Sequence, residues 1–193
     1  EAIAEAKALG VEYIWSAVTR AESVAAVIKS GGFACTKNRV IMGAAGDGAS
    51  MVADFGTGGA DSVFTRLGVK HKTPQRFADS YLGGGYRIKM RREILGRTDW
   101  YAYTGDEFGT TMPSIFKRRQ PLKDFVEAMK GNWRSGNEIM FRNGIRSEEF
   151  IGINCDTAAK RKALLDVFAK EGIKEVNGVP VEKFVTVEKR VGY

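Results

Sequence analysis

The sequence predicts an α+β domain. Strand-like runs rich in aromatic and β-branched residues alternate irregularly with helix-like runs, without the sustained strand-helix-strand alternation that builds a doubly wound sheet. At 193 residues the chain can bury one sizeable core, and its 44% hydrophobic and 27% charged residues are those of an ordinary globular protein. One domain with short terminal extensions is expected.

The opening AIAEAKAL is Ala-rich and stops at Gly10, so it reads as a short helix and a candidate appendage. VEYIWSAV, residues 11–18, reads as a strand. TRAESVAAVIKSGGF follows as a helix with Val24, Val27 and Ile28 inward, Thr19 as the candidate cap and Gly31-Gly32 as the stop. The glycine-dense MGAAGDGASMVADFGTGGADS is a loop region bracketing one or two short strands. VFTRL restores a strand, TPQRFADSYLGGG reads as a short helix, and YRIKM is a half-buried strand with Ile88 and Met90 alternating against Arg87 and Lys89.

A helical turn at REILG and a short strand at Trp100 to Tyr103 come next, then a polar loop to Pro113. In QPLKDFVEAMKGN, Pro121 suits a first helical turn, and Leu122, Phe125, Val126 and Met129 recur at helical spacing. EIMF, the RNGI turn and EEFIGINC together predict a β-hairpin. DTAAKRKALLDVFAKEG is an amphipathic helix capped by Asp156, and VEKFVTVEKRV an alternating closing strand.

Several function classes are disfavoured by what the residues lack. No apolar run approaches the roughly 20 residues of a membrane-spanning helix, so a soluble chain with no membrane partner is expected. No Gly-rich segment ends in the Gly-Lys-Ser/Thr of a phosphate loop, and GAAGDG at 43–48 is not the dinucleotide fingerprint. His71 is the sole histidine, with no G-x-S-x-G elbow to complete a triad. Cys35 and Cys155 lack metal-ligand spacing, so no metal site is expected and two reduced thiols are the plainer reading. The first ten residues do not resemble a secretory signal, and a chain opening on Glu reads as a candidate fragment of something longer.

The net charge of +7 fits an anionic partner: nucleic acid, an acidic protein or a phosphate-bearing cofactor. Its basic residues bunch at Arg87 to Arg97, Lys117 to Arg119 and Lys160 to Lys162, and a solvated face is the competing reading of each bunch.

SGNEIMFRNGI places Glu138 before a buried apolar run. YIWSAV, AAVIKSGGF, VFTRL, NEIMF and FIGIN occur in that order, and the order resembles the ADP-ribosyltransferase family across residues 11–155. The resemblance implies two small, roughly perpendicular β-sheets with flanking helices around an NAD cleft. It divides the single domain 1–193 into a possible helical appendage (1–10), the family-like core (11–155) and a C-terminal helix and strand (156–193). The implied activity is mono-ADP-ribosyl transfer, with NAD as cosubstrate and a protein or nucleic-acid acceptor.

Residue by residue, the resemblance makes Glu138 the catalytic carboxylate, supporting positive charge that develops at the anomeric carbon. A solvated strand end is the competing reading. The family's first-strand Arg or His position falls nearest Ser16, with Arg20 just beyond; satisfaction of local backbone is the alternative for Ser16. Phe64, Thr65 and Arg66 match the middle strand that supports the nicotinamide pocket, although alternation sets Thr65 on the face opposite the other two. Asn137 adjoins the catalytic position. Gly136 stands where arginine-modifying members carry a second glutamate, so that device is missing. Tyr101 and Tyr103 precede a loop suited to target recognition, with Asp106 and Glu107 as candidate acceptor-side bases. A basic nucleic-acid-binding or phage-like structural module without catalysis is the alternative function. Oligomeric state is not set by the sequence, and a resident cytosolic enzyme and a domain of a larger secreted toxin or effector look alike.

Overall fold

The structure, a computed structural model, describes residues 1–36, 38, 62–69, 85–103 and 138–188. Its elements are α1 (Ala2–Ala8), β1 (Val11–Val18), α2 (Ala21–Lys29), β2 (Gly32–Phe33), β3 (Val63–Val69), β4 (Tyr86–Arg91), β5 (Trp100–Tyr103) and β6 (Glu138–Phe141). They continue with β7 (Ile145–Arg146), β8 (Phe150–Cys155), α3 (Ala158–Lys170), β9 (Glu175–Val176), β10 (Val179–Pro180), α4 (Val181–Phe184) and β11 (Val185–Val187). The architecture is α+β, as predicted.

Seven strands follow the order β11-β8-β4-β1-β3-β6-β5, and two ribbons pair β2 with β7 and β9 with β10. In place of two separate sheets there is one main sheet, within which β3 is shared between two ladders. Its second half pairs with β1, from Trp15 opposite Arg66 to Val11 opposite Val69. Its first half pairs with β6, from Val63 opposite Phe141 to Thr65 opposite Ile139. The partner therefore changes between Thr65 and Arg66.

The alternation read in YRIKM is realised: Tyr86, Ile88 and Met90 are buried, while Arg87 and Lys89 are half-buried. The core gathers Ile14, Val24, Ile88, Leu95, Ile153, Leu164 and Phe168 from sheet and helices. In β6 the whole run Ile139, Met140 and Phe141 is buried, as its apolar character predicts. Helix α1, a candidate appendage by sequence, packs into this core through the fully buried Ala6.

The predicted hairpin is not formed. β6 pairs with β3 and β5, whereas β8 pairs with β4 and β11, and three strands stand between them. The Asn143-Gly144 turn does redirect the chain, but into β7, which pairs with β2, and a 3-10 turn at Ser147–Glu149 then delivers the chain to β8. Local turn chemistry specifies a reversal; only the neighbouring strand edges specify which strand the chain joins. Gly32 is essential to the detour, because its φ is +137° and a Cβ there would lie 2.1 Å from the Ile145 carbonyl oxygen.

Other local expectations shift. Arg20, not Thr19, occupies the N-cap of α2, with no side-chain cap bond. Thr157, not Asp156, caps α3 by accepting the Lys160 amide at 3.2 Å, and Asp156 instead pairs with Lys160 Nζ at 2.6 Å. VEKF coils into the helical turn α4, leaving VTV as a strand parallel to β8. A tight β9-β10 hairpin, turning at Asn177 (φ 52°) and Gly178 (φ 78°), went unforeseen although Asn-Gly is a turn signal. Cys35 and Cys155 are both buried and unbridged.

A clasp closes the end of β6. Arg97 pairs with Asp99 through both nitrogens of a forked contact, and its Nη1 donates to the Gly144 carbonyl at 2.7 Å. Asp99 accepts from the Asn143 amide at 3.2 Å and Nδ2 at 3.0 Å, and its own carbonyl accepts from the Arg142 amide at 3.0 Å. Burial by itself pushes the Asp99 carboxyl up, but bonds from Arg97 and Asn143 outweigh it and hold the group below its ordinary value.

Thr157→Ala should lower the unfolding free energy by about 1 kcal/mol, seen as a lower urea midpoint at constant slope. The depressed Asp99 pKa stabilises the fold fully above the unfolded aspartate pKa and progressively less as pH falls through the lower folded value. Urea midpoints should therefore drop on acidification below about pH 4. In Asp99→Asn that acid-dependent drop should be smaller; an equal drop would assign it to other groups.

Candidate functional site

Three segments far apart in sequence meet where β3 changes partner. Ser16 Oγ donates to the Phe64 carbonyl at 2.9 Å, spanning β1 and β3 just beyond their last ladder pair. The contact is 48 residues removed in sequence, so Ser16 does more than satisfy its local backbone. Thr65 Oγ1 donates to the Ile139 carbonyl at 2.6 Å, which ties β3 to the residue following Glu138. Glu138 itself opens β6, opposite Tyr103 of β5.

The register explains this convergence. Phe64 opposes Met140 and Thr65 opposes Ile139, so Arg66 and Glu138 are the next two positions in the same series. On the other side of β3, Arg66 pairs with Trp15. Val63, Thr65 and Leu67 are buried, while Phe64 and Arg66 are half-buried, as period-two alternation requires. Thr65 is 1% exposed with its hydroxyl committed to a backbone carbonyl, so it braces the junction from the core side. Positions 64, 66, 138 and 140 belong to the other face.

Arg20 is not drawn in. Its side chain is 73% exposed and lies 3.8 Å from Glu22 at the start of α2. Asn137 lies outside the described residues, as do His71, Asp106, Glu107, Gly136, the 43–48 segment, the Lys117 to Arg119 bunch and the helices expected over 73–82 and 121–129.

Much of the basic character is already engaged. Arg87 lies over the Trp15 ring at 4.2 Å and Lys89 over the Tyr13 ring at 4.4 Å. Lys89 also pairs with Glu188 at 2.8 Å, Arg91 with Glu149, and Arg92 with Glu93 at 3.6 Å. In the last bunch Lys160 pairs with Asp156 and Lys162 with Asp166, while Arg161 donates to the carbonyls of Val185 and Glu182. Arg87, Lys89 and Arg161 thus hold contacts beyond those of a solvated face, whereas Lys162 and Asp166 form an exposed pair.

No family model matches the chain, and no curated protein matches it. A solved structure of Thermosipho africanus DarTG in complex with ADP-ribose is similar to it, with a TM-score of 0.58 at 11% sequence identity. The match covers 91% of this chain and 50% of that one, so the chain spans half the length of that protein. The likeness is one of α+β fold.

Sequence reasoning missed Arg97 and Asp99, which grip the turn immediately after the strand that Glu138 begins. Their signal was opposite charges two residues apart immediately before an aromatic strand, but their partner turn lies more than 40 residues later. Thr65→Val should lower stability by about 1 kcal/mol through loss of the buried bond to Ile139, and Thr65→Ser should retain part of it. Thermal unfolding of the pair decides; equal loss in both would assign the effect to packing rather than to the hydroxyl.

Proposed function

We propose that the chain is an NAD-dependent mono-ADP-ribosyltransferase with Glu138 as its catalytic carboxylate. The observation that carries the reading is the register-driven meeting of Ser16, Phe64 to Arg66 and Glu138 at the β3 junction. Likeness in fold to a DarTG structure holding ADP-ribose supports the same class of ligand.

In the reaction, the bond between the nicotinamide ring nitrogen and the anomeric carbon of NAD breaks, and its electron pair leaves with neutral nicotinamide. Positive charge develops on the ribose, and the Glu138 carboxylate stabilises it more in the transition state than in the bound ground state. An acceptor nucleophile then bonds to the anomeric carbon and releases a proton. Phe64 and Arg66 build the NAD-binding side of the junction, with Arg66 suited to a phosphate, while Ser16 and Thr65 support it through their bonds to backbone carbonyls. Asn137, next to Glu138 in sequence, completes the proposed NAD-binding set, and Arg20, set apart at the start of α2, is left out of it. The acceptor is a protein or nucleic acid, with an anionic target favoured by the net charge of +7.

Glu138→Gln removes charge at nearly constant volume. It should reduce nicotinamide release by about two orders of magnitude or more while leaving the melting temperature unchanged. NAD should raise the melting temperature of the parent chain. Full turnover in Glu138→Gln would remove Glu138 from the catalytic role, whereas a parent chain indifferent to NAD but bound to DNA or RNA in a salt-dependent way would favour the non-catalytic nucleic-acid module.

A further inference from the structure

Strand β6 is four residues long, and its backbone ladders repeat from residue to residue. Such a ladder tolerates slippage: a shift of one position keeps backbone pairing but carries every side chain to the opposite face. For a strand whose first residue is Glu138, the error would exchange the faces of positions 138 and 139. Something specific to side chains has to hold the register.

The clasp at the other end of β6 is specific in that way. Arg97 and Asp99 stand immediately before β5, the strand that pairs with β6. Between them they bind the amides of Arg142 and Asn143, the Asn143 side chain and the Gly144 carbonyl, and the Arg97 guanidinium lies over the Phe141 ring at 5.0 Å. A one-residue slip would lose the Asn143 Nδ2 bond and the Phe141 ring contact, because those two partners are side chains that do not recur one position along the chain, whereas the backbone partners do.

We propose that Arg97 and Asp99 are positioning residues for Glu138, latching the exit of β6 so that its register, and with it the place of the catalytic carboxylate, is fixed about 10 Å away along the strand. The proposal rests on the catalytic reading of Glu138. It adds two residues that touch neither substrate nor the reacting atoms.

The test compares Asp99→Asn and Arg97→Lys with Thr157→Ala, a destabilising cap variant remote from the junction. Steady-state nicotinamide release and amide hydrogen exchange at residues 139–141 are measured for each. The latch variants should lose on the order of 10-fold to 100-fold in kcat with KM changed by less than about twofold, and their 139–141 amides should exchange faster than in the parent chain. Thr157→Ala should do neither. Parent-like exchange in the latch variants overturns the proposal, as does an equal kcat loss in Thr157→Ala, which would reduce the effect to general stability. If the parent chain releases no nicotinamide, the catalytic reading falls on its own, while the exchange measurement still decides whether the latch holds the register.

Discussion

Strand β3 is the constraint on which the rest of the arrangement depends. It has two edges to satisfy and meets them with different halves of its length, Val63 to Thr65 toward β6 and Arg66 to Val69 toward β1. A backbone shared in this way must have its polar groups paired on both sides of the changeover. Two hydroxyls stand at that point, Ser16 donating to the Phe64 carbonyl and Thr65 to the Ile139 carbonyl. The same bonds that bracket the change of partner therefore fasten the first, middle and late strands to one another, at the end of β6 where Glu138 stands.

Around this junction the fold separates its tasks. The helix-facing side is conventional packing, with Ile14, Ile88, Ile153, Leu164 and Phe168 removing apolar surface from water. The opposite side of β4 carries Arg87 and Lys89, laid over Trp15 and Tyr13. Charged side chains there cover aromatic surface while their heads remain engaged with acids or rings. Among the described residues, Arg87 and Lys89 thus serve the sheet whatever the acceptor.

The clasp of Arg97 and Asp99 and the β2-β7 ribbon solve the problem left by a short central strand. A four-residue strand has little to specify its register, and the segment after it must travel from one end of the sheet order to the other before it becomes β8. The clasp holds the start of that journey and Gly32, packed against the Ile145 carbonyl, holds its middle. Both devices are local in space and distant in sequence.

The sequence by itself determined what depends on short-range chemistry. The strand at 11–18, the helix ending at Gly31-Gly32, the alternation of YRIKM, the burial of IMF and the helix beginning near 157 all follow from periodicity, propensity and turn residues within a few positions. Glu138 was legible for the same reason, as an acid directly before an apolar strand. Only the tertiary structure decided that EIMF and FIGIN do not pair, that Asp99 receives the turn after β6, and that Ser16 and Thr65 bond to carbonyls 48 and 74 residues away. Strand pairing and register are settled by which edges lie free once every strand has packed, and no local pattern carries that information.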